Sequence, residues 1–235
     1  MKKIKVLALI PARSGSKRVK NKNIKMLNNK PLIYYSIKAA IASGVVDRVI
    51  VSTDSEEIAE IAKKYGAEVP FLRPKKLASD NSTEYEYHKH TVDWLIENEK
   101  ITYDLIVNLY PTTPFRSSDT IEKAVNLFKD NFNYDSLRSV VKCSEHPYKM
   151  WTSEEKELKP FIDTGDMNDH TLSYHLLPKV YIQNASIYIT KTETLKKFKN
   201  TIGEKILSFI MNDKESIDIN SPIDFKLCEA MMKEG

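Results

Sequence analysis

Six basic side chains, one glycine and no acid fall within residues 10–25, IPARSGSKRVKNKNIK. Arginine offers a planar fork to an anion and lysine a compact point charge. Backbone amides freed by Gly15, Ser14 and Ser16 add short-range donors, so the stretch is equipped to hold a compact polyanion. Two phosphate-binding loops of known mechanics fail here. The first unit contains neither GxxxxGK[ST] nor GxGxxG, which argues against a kinase-like P-loop and a dinucleotide-binding fold.

The charge along the chain sharpens this. Net charge is only +4, but no acid precedes Asp47, so the first 46 residues carry +11 and the remainder −7. A nucleic-acid binder interleaves stacking aromatics with its basic residues, and here none occurs before Tyr34. A polyphosphate ligand fits better; the bland alternative is a solvated lysine-rich face.

Apolar periodicity supplies the elements that hold these residues. A chain of 235 residues suits one domain with a small appendage. Strands are expected at Lys5–Ile10, Arg48–Thr53, Glu68–Leu72, Asp104–Leu109, Ser136–Val141, Tyr181–Thr190 and Ile206–Met211. Helices are expected at Pro31–Ser43, Ser55–Tyr65, Glu84–Asn98, Asp119–Phe132 and Ser221–Lys233, with Ser216–Asn220 leading into the last. The alternation predicts an α/β fold, a Rossmann-like, mostly parallel sheet with helices on both faces. It breaks at residues 142–180, where three prolines and the aromatics Tyr148, Trp151, Phe161 and Tyr174 follow no period. Such an excursion is a floppy insertion or an arm that covers a ligand or partner, and the aromatics favour the arm.

The apolar run Val6–Ile10 is too short for a secretory core of roughly 7–15 residues. Cys143 and Cys228 form no paired pattern. A cytoplasmic protein without membrane segment is expected, and on that reading the Asn81 and Asn184 sequons carry no glycan. Both cysteines and the tryptophans are read as packing residues, Trp94 in the core and Trp151 in the arm. His88 and His90 lie on a predicted helix and face solvent or pack.

In an open α/β sheet, ligands bind at the carboxyl ends of the strands, where the loop after the first strand lies. Its sequence IPARSGSKRVKNKNI resembles the signature loop of the acylneuraminate cytidylyltransferases, the CMP-sialic acid synthetases. The resemblance continues in register through VSTDSEEIAEIAKKYGAEV, FLRPKKLASDNST, LYPTTPFRS, EHPYK and SIDINSPIDF. It implies a nucleotidyltransferase fold of the nucleotide-diphospho-sugar type and a homodimer whose arm reaches towards the partner's site. CTP and a sugar acid are the implied substrates, with Mg2+ (or Mn2+) as cofactor. Matched residue by residue, it implies triphosphate contacts at Arg13, Ser16, Lys22 and Asn23, with Lys17 in the same loop. Cytosine contacts would fall on Arg73, Ala78 and Ser79, and a sugar-acid contact on Lys149. His146 beside it is a second candidate. Arg18 and Lys20 are as open to a solvated role as to a ligand.

Asp218 and Asn220, two apart in SIDIN, would face one side of an extended segment. Magnesium takes one or two carboxylates plus phosphate oxygens and water, so both are candidate metal ligands. The family pattern has two aspartates here, and Asn220 brings an oxygen without charge. The alternative for SIDIN is a strand end with a helix cap. The implied reaction is attack of a sugar-acid hydroxyl on the α-phosphate of CTP. Arg13, Lys17 and Lys22 with Mg2+ would stabilise the charge developing on the phosphates, and deprotonation of the hydroxyl would fall to metal coordination or to Asp218 itself, the fourth candidate catalytic residue. Asp54 is expected to cap the second helix.

Other departures concern the sugar. Tyr110 in LYPTTPFR stands where the sialic-acid pattern has glutamine, and Tyr174 and His175 stand where it has Arg-Gln. These point towards a bacterial nonulosonic acid such as pseudaminic or legionaminic acid, with a Kdo-type transferase or a nucleotide-binding homologue of altered chemistry as alternatives. Tyr110, Lys149, Tyr174 and His175 are the candidate sugar-binding residues.

Overall fold

The computed structural model describes residues 3–234; Met1 and Lys2 of the basic start lie outside them. Among the described residues ten strands form: β1 (Val6–Pro11), β2 (Met26–Leu27), β3 (Lys30–Pro31), β4 (Arg48–Ser52), β5 (Leu105–Leu109), β6 (Ser136–Lys142), β7 (Trp151–Glu154), β8 (Glu157–Pro160), β9 (Tyr181–Lys191) and β10 (Ile206–Ile210). The helices are α1 (Leu32–Ala42), α2 (Glu56–Lys64), α3 (Glu84–Trp94), α4 (Ser118–Asp130), α5 (Thr192–Phe198) and α6 (Pro222–Glu234).

Six strands make the central sheet in the order β10-β6-β9-β5-β1-β4. All its pairings are parallel except those of β9, which runs antiparallel to β5 and β6. Period-two alternation in β1 divides its apolar side chains between two layers. Val6, Ala8 and Ile10 pack with Ile33 and Ile37 of α1, Ile58 of α2 and Phe128 of α4. Leu7 and Leu9 face the other way, onto Tyr87 of α3 and Leu195 of α5. A third cluster joins Leu27, Leu32, Ile219, Phe225 and Cys228, and seats α6 on the short β2-β3 hairpin.

Helix ends follow local chemistry. Ser117 accepts from the Thr120 amide at the start of α4, and Thr83 and Glu86 form a reciprocal capping box on α3. Gly44 and Gly66 follow α1 and α2 at φ +67° and +98°, where a side chain would be strained.

Several expectations are corrected. Glu68–Leu72 is no strand, since only Glu68 bridges to Ile50. The third helix gives way to a π turn at Leu95–Glu99, and α5, too short for a clear period, was not anticipated. Asp54 does not cap α2, because Ser55 accepts from the Ile58 amide and leaves the Asp54 carboxylate free for the loop after β1. The 142–180 excursion contains an antiparallel hairpin, β7-β8. No helix among the described residues is long and apolar enough to cross a membrane.

Phe128 is fully buried beneath the sheet. Phe128→Ala is expected to lower unfolding free energy by about 3–5 kcal/mol, read as a lower urea midpoint at unchanged slope.

Candidate functional site

The carboxyl ends of β1, β4 and β5 open into a cleft of about 590 Å³. Arg13, Ser16, Lys17, Arg18, Lys22 and Asn23 line it from the loop after β1, Arg73, Ser79 and Asp80 from the segment after β4, and Tyr110, Pro111 and Thr112 from the loop after β5. Glu84 and Tyr87 come from α3, and Asn220 from the segment before α6. Residues from opposite ends of the chain thus meet in one cavity.

Internal bonds shape the loop. Asn23 is buried and donates through Nδ2 to the Arg13 carbonyl at 2.9 Å. Ser14 donates through N and Oγ to the two oxygens of Asp54 at 2.8 and 2.7 Å. Asp54 therefore anchors the loop to the end of β4, a role that hydroxyl-rich RSGS facing an unpaired acid after a strand could have suggested. Arg13 reaches across to the Ala78 carbonyl at 3.3 Å and to Asp80 at 2.8 Å, and Lys17 also pairs with Asp80. Those contacts hold the Asp80 carboxyl below its usual range. Ala78 thus meets the site through its backbone. Arg73 is buried, donates through Nε to Ser52 Oγ at 2.9 Å, and lies over the Tyr87 ring at 4.8 Å.

On the far side, Lys22 donates to the Ile219 carbonyl at 2.9 Å. Burial lowers its pKa, and neighbouring Asp218 opposes that shift. The Ile219 amide in turn donates to the Thr112 carbonyl at 2.8 Å, which ties this segment to the loop after β5. Asp218 Oδ2 accepts from Asn220 Nδ2 at 2.6 Å, so the two side chains share one side. Asp218 Oδ1 is shielded from solvent and has no hydrogen-bond partner. One unspent carboxylate oxygen beside a neutral amide suits a hard cation that draws its remaining ligands from phosphate and water. No cluster of three or more His, Cys, Asp or Glu suited to a metal occurs among the described residues.

Sequence reasoning reached Tyr110 on the floor of the cleft but missed its partners. Tyr110 donates its phenolic proton to Glu84, whose other oxygen accepts from Thr201 Oγ1 at 2.7 Å and pairs with Arg138 at 3.3 Å. Burial pushes the Glu84 carboxyl up, but Arg138 and these hydrogen bonds outweigh it, and its pKa lies below the ordinary value. Burial raises the Tyr110 phenol. Below them the Tyr87 hydroxyl and His88 Nε2 both meet Asn108 Oδ1 at 3.2 Å. Glu84 carried no signal in sequence beyond its place after the helix-starting Thr83.

The remaining predicted residues lie elsewhere. Lys149 donates to the carbonyls of His170 and Leu172 at 2.8 and 2.6 Å, inside the arm. His146 also bonds within the arm, accepting from the Tyr148 amide and meeting the Pro178 carbonyl through Nε2. Tyr174 and His175 line a separate cavity at the base of the arm. None of these four joins the cleft of the same chain.

The Cytidylyltransferase family model matches residues 7–217. Post-translational flagellin modification protein B of Campylobacter coli is 37% identical over 231 residues, which cover 97% of this chain and 95% of that one. The CMP-N,N'-diacetyllegionaminic acid synthase of Legionella pneumophila is 37% identical over 234 residues, 98% of this chain and 97% of that one. Among solved structures, that of a CMP:2-keto-3-deoxy-manno-octonic acid synthetase complexed with CTP superposes with a TM-score of 0.70 at 14% identity, covering 98% and 99% of the two chains.

Burial of the cleft floor has a consequence for stability. His88 is fully buried, and desolvation lowers its pKa to about 4 from 6.5. Between those values the unfolded chain binds a proton that the folded chain does not, so this contribution is complete above pH 6.5 and is lost as pH falls towards 4. His88→Gln is expected to flatten the fall in urea midpoint across that window relative to the parent protein.

Proposed function

This chain belongs to the cytidylyltransferase family, and from that premise we propose that it converts CTP and a nonulosonic, sialic-acid-like 2-keto sugar acid to the CMP-sugar and pyrophosphate. The convergence of Arg13, Lys17, Lys22 and Asn220 from opposite ends of the chain on one cleft, with Asp218 alongside, carries this reading. Arg13, Ser16, Lys17, Lys22 and Asn23 hold the triphosphate, while Arg73, Ala78 and Ser79 face the cytosine. Tyr110 faces the sugar acid. A hydroxyl oxygen of the acid forms the new bond to the α-phosphorus as the bond to the bridging oxygen breaks, and pyrophosphate leaves. Arg13, Lys17 and Lys22 offset the charge that grows on the departing phosphates. No histidine lines the cleft among the described residues, so the hydroxyl proton has a carboxylate or water to go to.

Mg2+ or Mn2+ fits at Asp218 Oδ1 with Asn220 beside it, and would supply further neutralisation of phosphate charge when bound. The arm carries Leu158, Phe161, Met167 and Leu176 at 61–63% exposure. So much exposed apolar surface on one appendage supports a homodimer formed through the arm. In that dimer Lys149, Tyr174 and His175 would approach the partner's sugar site. The protein is one cytidylyltransferase unit with an inserted arm, and it works in the cytoplasm. Asn220 favours a second reading, a homologue that binds CTP with weakened chemistry, because it removes one charge from the metal segment.

Incubation with CTP, Mg2+ and N-acetylneuraminic, N,N'-diacetyllegionaminic, pseudaminic or Kdo acid is expected to release pyrophosphate with at least one nine-carbon acid. CTP binding without release from any acid would favour the second reading, and release with Kdo alone a Kdo-type enzyme. Arg13→Ala is expected to raise the KM for CTP about 10- to 100-fold, the worth of a charge-assisted contact. Asn220→Asp should lower the Mg2+ requirement; an unchanged requirement removes Asn220 from the metal site. For the dimer, sedimentation should report two chains per particle for the parent protein and one for Phe161→Asp/Leu176→Asp.

A further inference from the structure

Two side chains on the cleft floor cannot donate a hydrogen bond to a ligand. An ionised carboxylate is acceptor only, and a tyrosine has a single proton to give. Tyr110 gives its proton to Glu84, and both residues line the cleft. The neighbouring donors are committed in part, although Arg138 Nε and Nη1 are buried without a partner. Arg138 is bound to Glu84 and to the Thr201 carbonyl and hydroxyl, Arg73 is bound to Ser52, and the Tyr87 hydroxyl is bound to Asn108. In a cleft otherwise rich in cations, the Tyr110–Glu84 pair offers lone pairs alone.

Glu84 is held firmly in that state. It sits in the first turn of α3 after the Thr83 capping box, which fixes where its side chain starts. Its far end is clamped by Arg138, which is itself stacked at 4.3 Å over Tyr188, and by Thr201. Protonating or displacing the carboxylate would leave Arg138 buried without its anion. Tyr110 follows β5 in the loop that also joins Asn220 through Thr112 and Ile219. The acceptor patch therefore adjoins the metal segment.

We propose that Glu84 is a positioning residue that accepts the Tyr110 hydrogen bond, so that the Tyr110 oxygen can only accept, and thereby makes this pair select sugar acids presenting a hydroxyl or acylamino N–H donor to it. A ligand carboxylate or phosphate meets only lone pairs here and is turned away towards the cationic loop. The patch thus sets orientation as well as preference. This inference rests on the proposed reaction and adds to it the donor that the acid offers at this point.

Tyr110→Phe and Glu84→Gln test it, scored by pyrophosphate release with the same four acids and by KM for each substrate separately. Tyr110→Phe removes the acceptor while leaving the Glu84–Arg138 pair intact, so it guards against misfolding of the second variant. The expected result is a rise of about tenfold in KM for the preferred acid, the worth of one hydrogen bond. KM for CTP should stay within about twofold and the preference among acids should narrow. Glu84→Gln, whose amide can donate to the Tyr110 oxygen, should reproduce that pattern, and Glu84→Asp should recover part of the preference. Parent turnover with an unchanged order and KM of acids in Tyr110→Phe overturns the inference and leaves the reaction standing. So does an effect confined to CTP. A parent protein that turns over no acid overturns the reaction and this inference with it.

Discussion

One buried cation, Arg116, sets the geometry on which the cleft depends. Its guanidinium is almost wholly removed from solvent and touches no carboxylate. It donates instead to the carbonyls of Tyr110 and Ser186 and to the hydroxyls of Thr113 and Ser36. Burial drops its pKa to about 9, opposed only by more distant Glu215. Four neutral acceptors from α1, β9 and the loop after β5 therefore have to stay in place, because each lost acceptor would leave a desolvated charge less satisfied. The loop is pinned to both flanking elements as a result. From it the order passes outward: Thr112 holds Ile219, Ile219 holds Lys22, and Lys22 belongs to the cationic loop after β1. The two ends of the chain are joined through this relay of backbone carbonyls and one lysine.

Much of this was legible in sequence, and the reason is periodicity. β1, β4, β5, β6, α1, α2 and α4 each carry an apolar pattern whose period differs clearly between strand and helix, and their buried residues fall where the pattern puts them. The cationic loop was legible because its composition is extreme. Asp218 and Asn220 were legible from their spacing, and their side chains do meet. Elements lacking a pattern were lost. α5 has seven residues, and Glu68–Leu72 makes one bridge where a short third strand is expected.

Long-range polar partnerships were the other loss. Asp54 reads locally as a cap because it precedes a helix, yet adjacent Ser55 takes that role and Asp54 crosses forty residues to Ser14. Glu84, Arg138 and Thr201 are brought together from three separate segments, and nothing in the spacing of any one of them announces the other two. Lys149 shows the same limit from the opposite side. Its motif was recognisable, but its amine is spent on carbonyls of the arm.

The two acids that line this cationic cleft differ in what a ligand can ask of them. Asp80 stands at the surface, held by Arg13 and Lys17 in contacts that water and salt screen. A triphosphate offers the same two cations more oxygens and more charge, so exchanging Asp80 for it loses little. Glu84 lies at the floor with Arg138, and separating them would strand the buried Arg138 charge. A ligand can therefore displace the outer acid but has to accommodate the inner one. That asymmetry separates the mouth, where an anion can take over Arg13 and Lys17, from the floor, where the Tyr110–Glu84 pair only accepts.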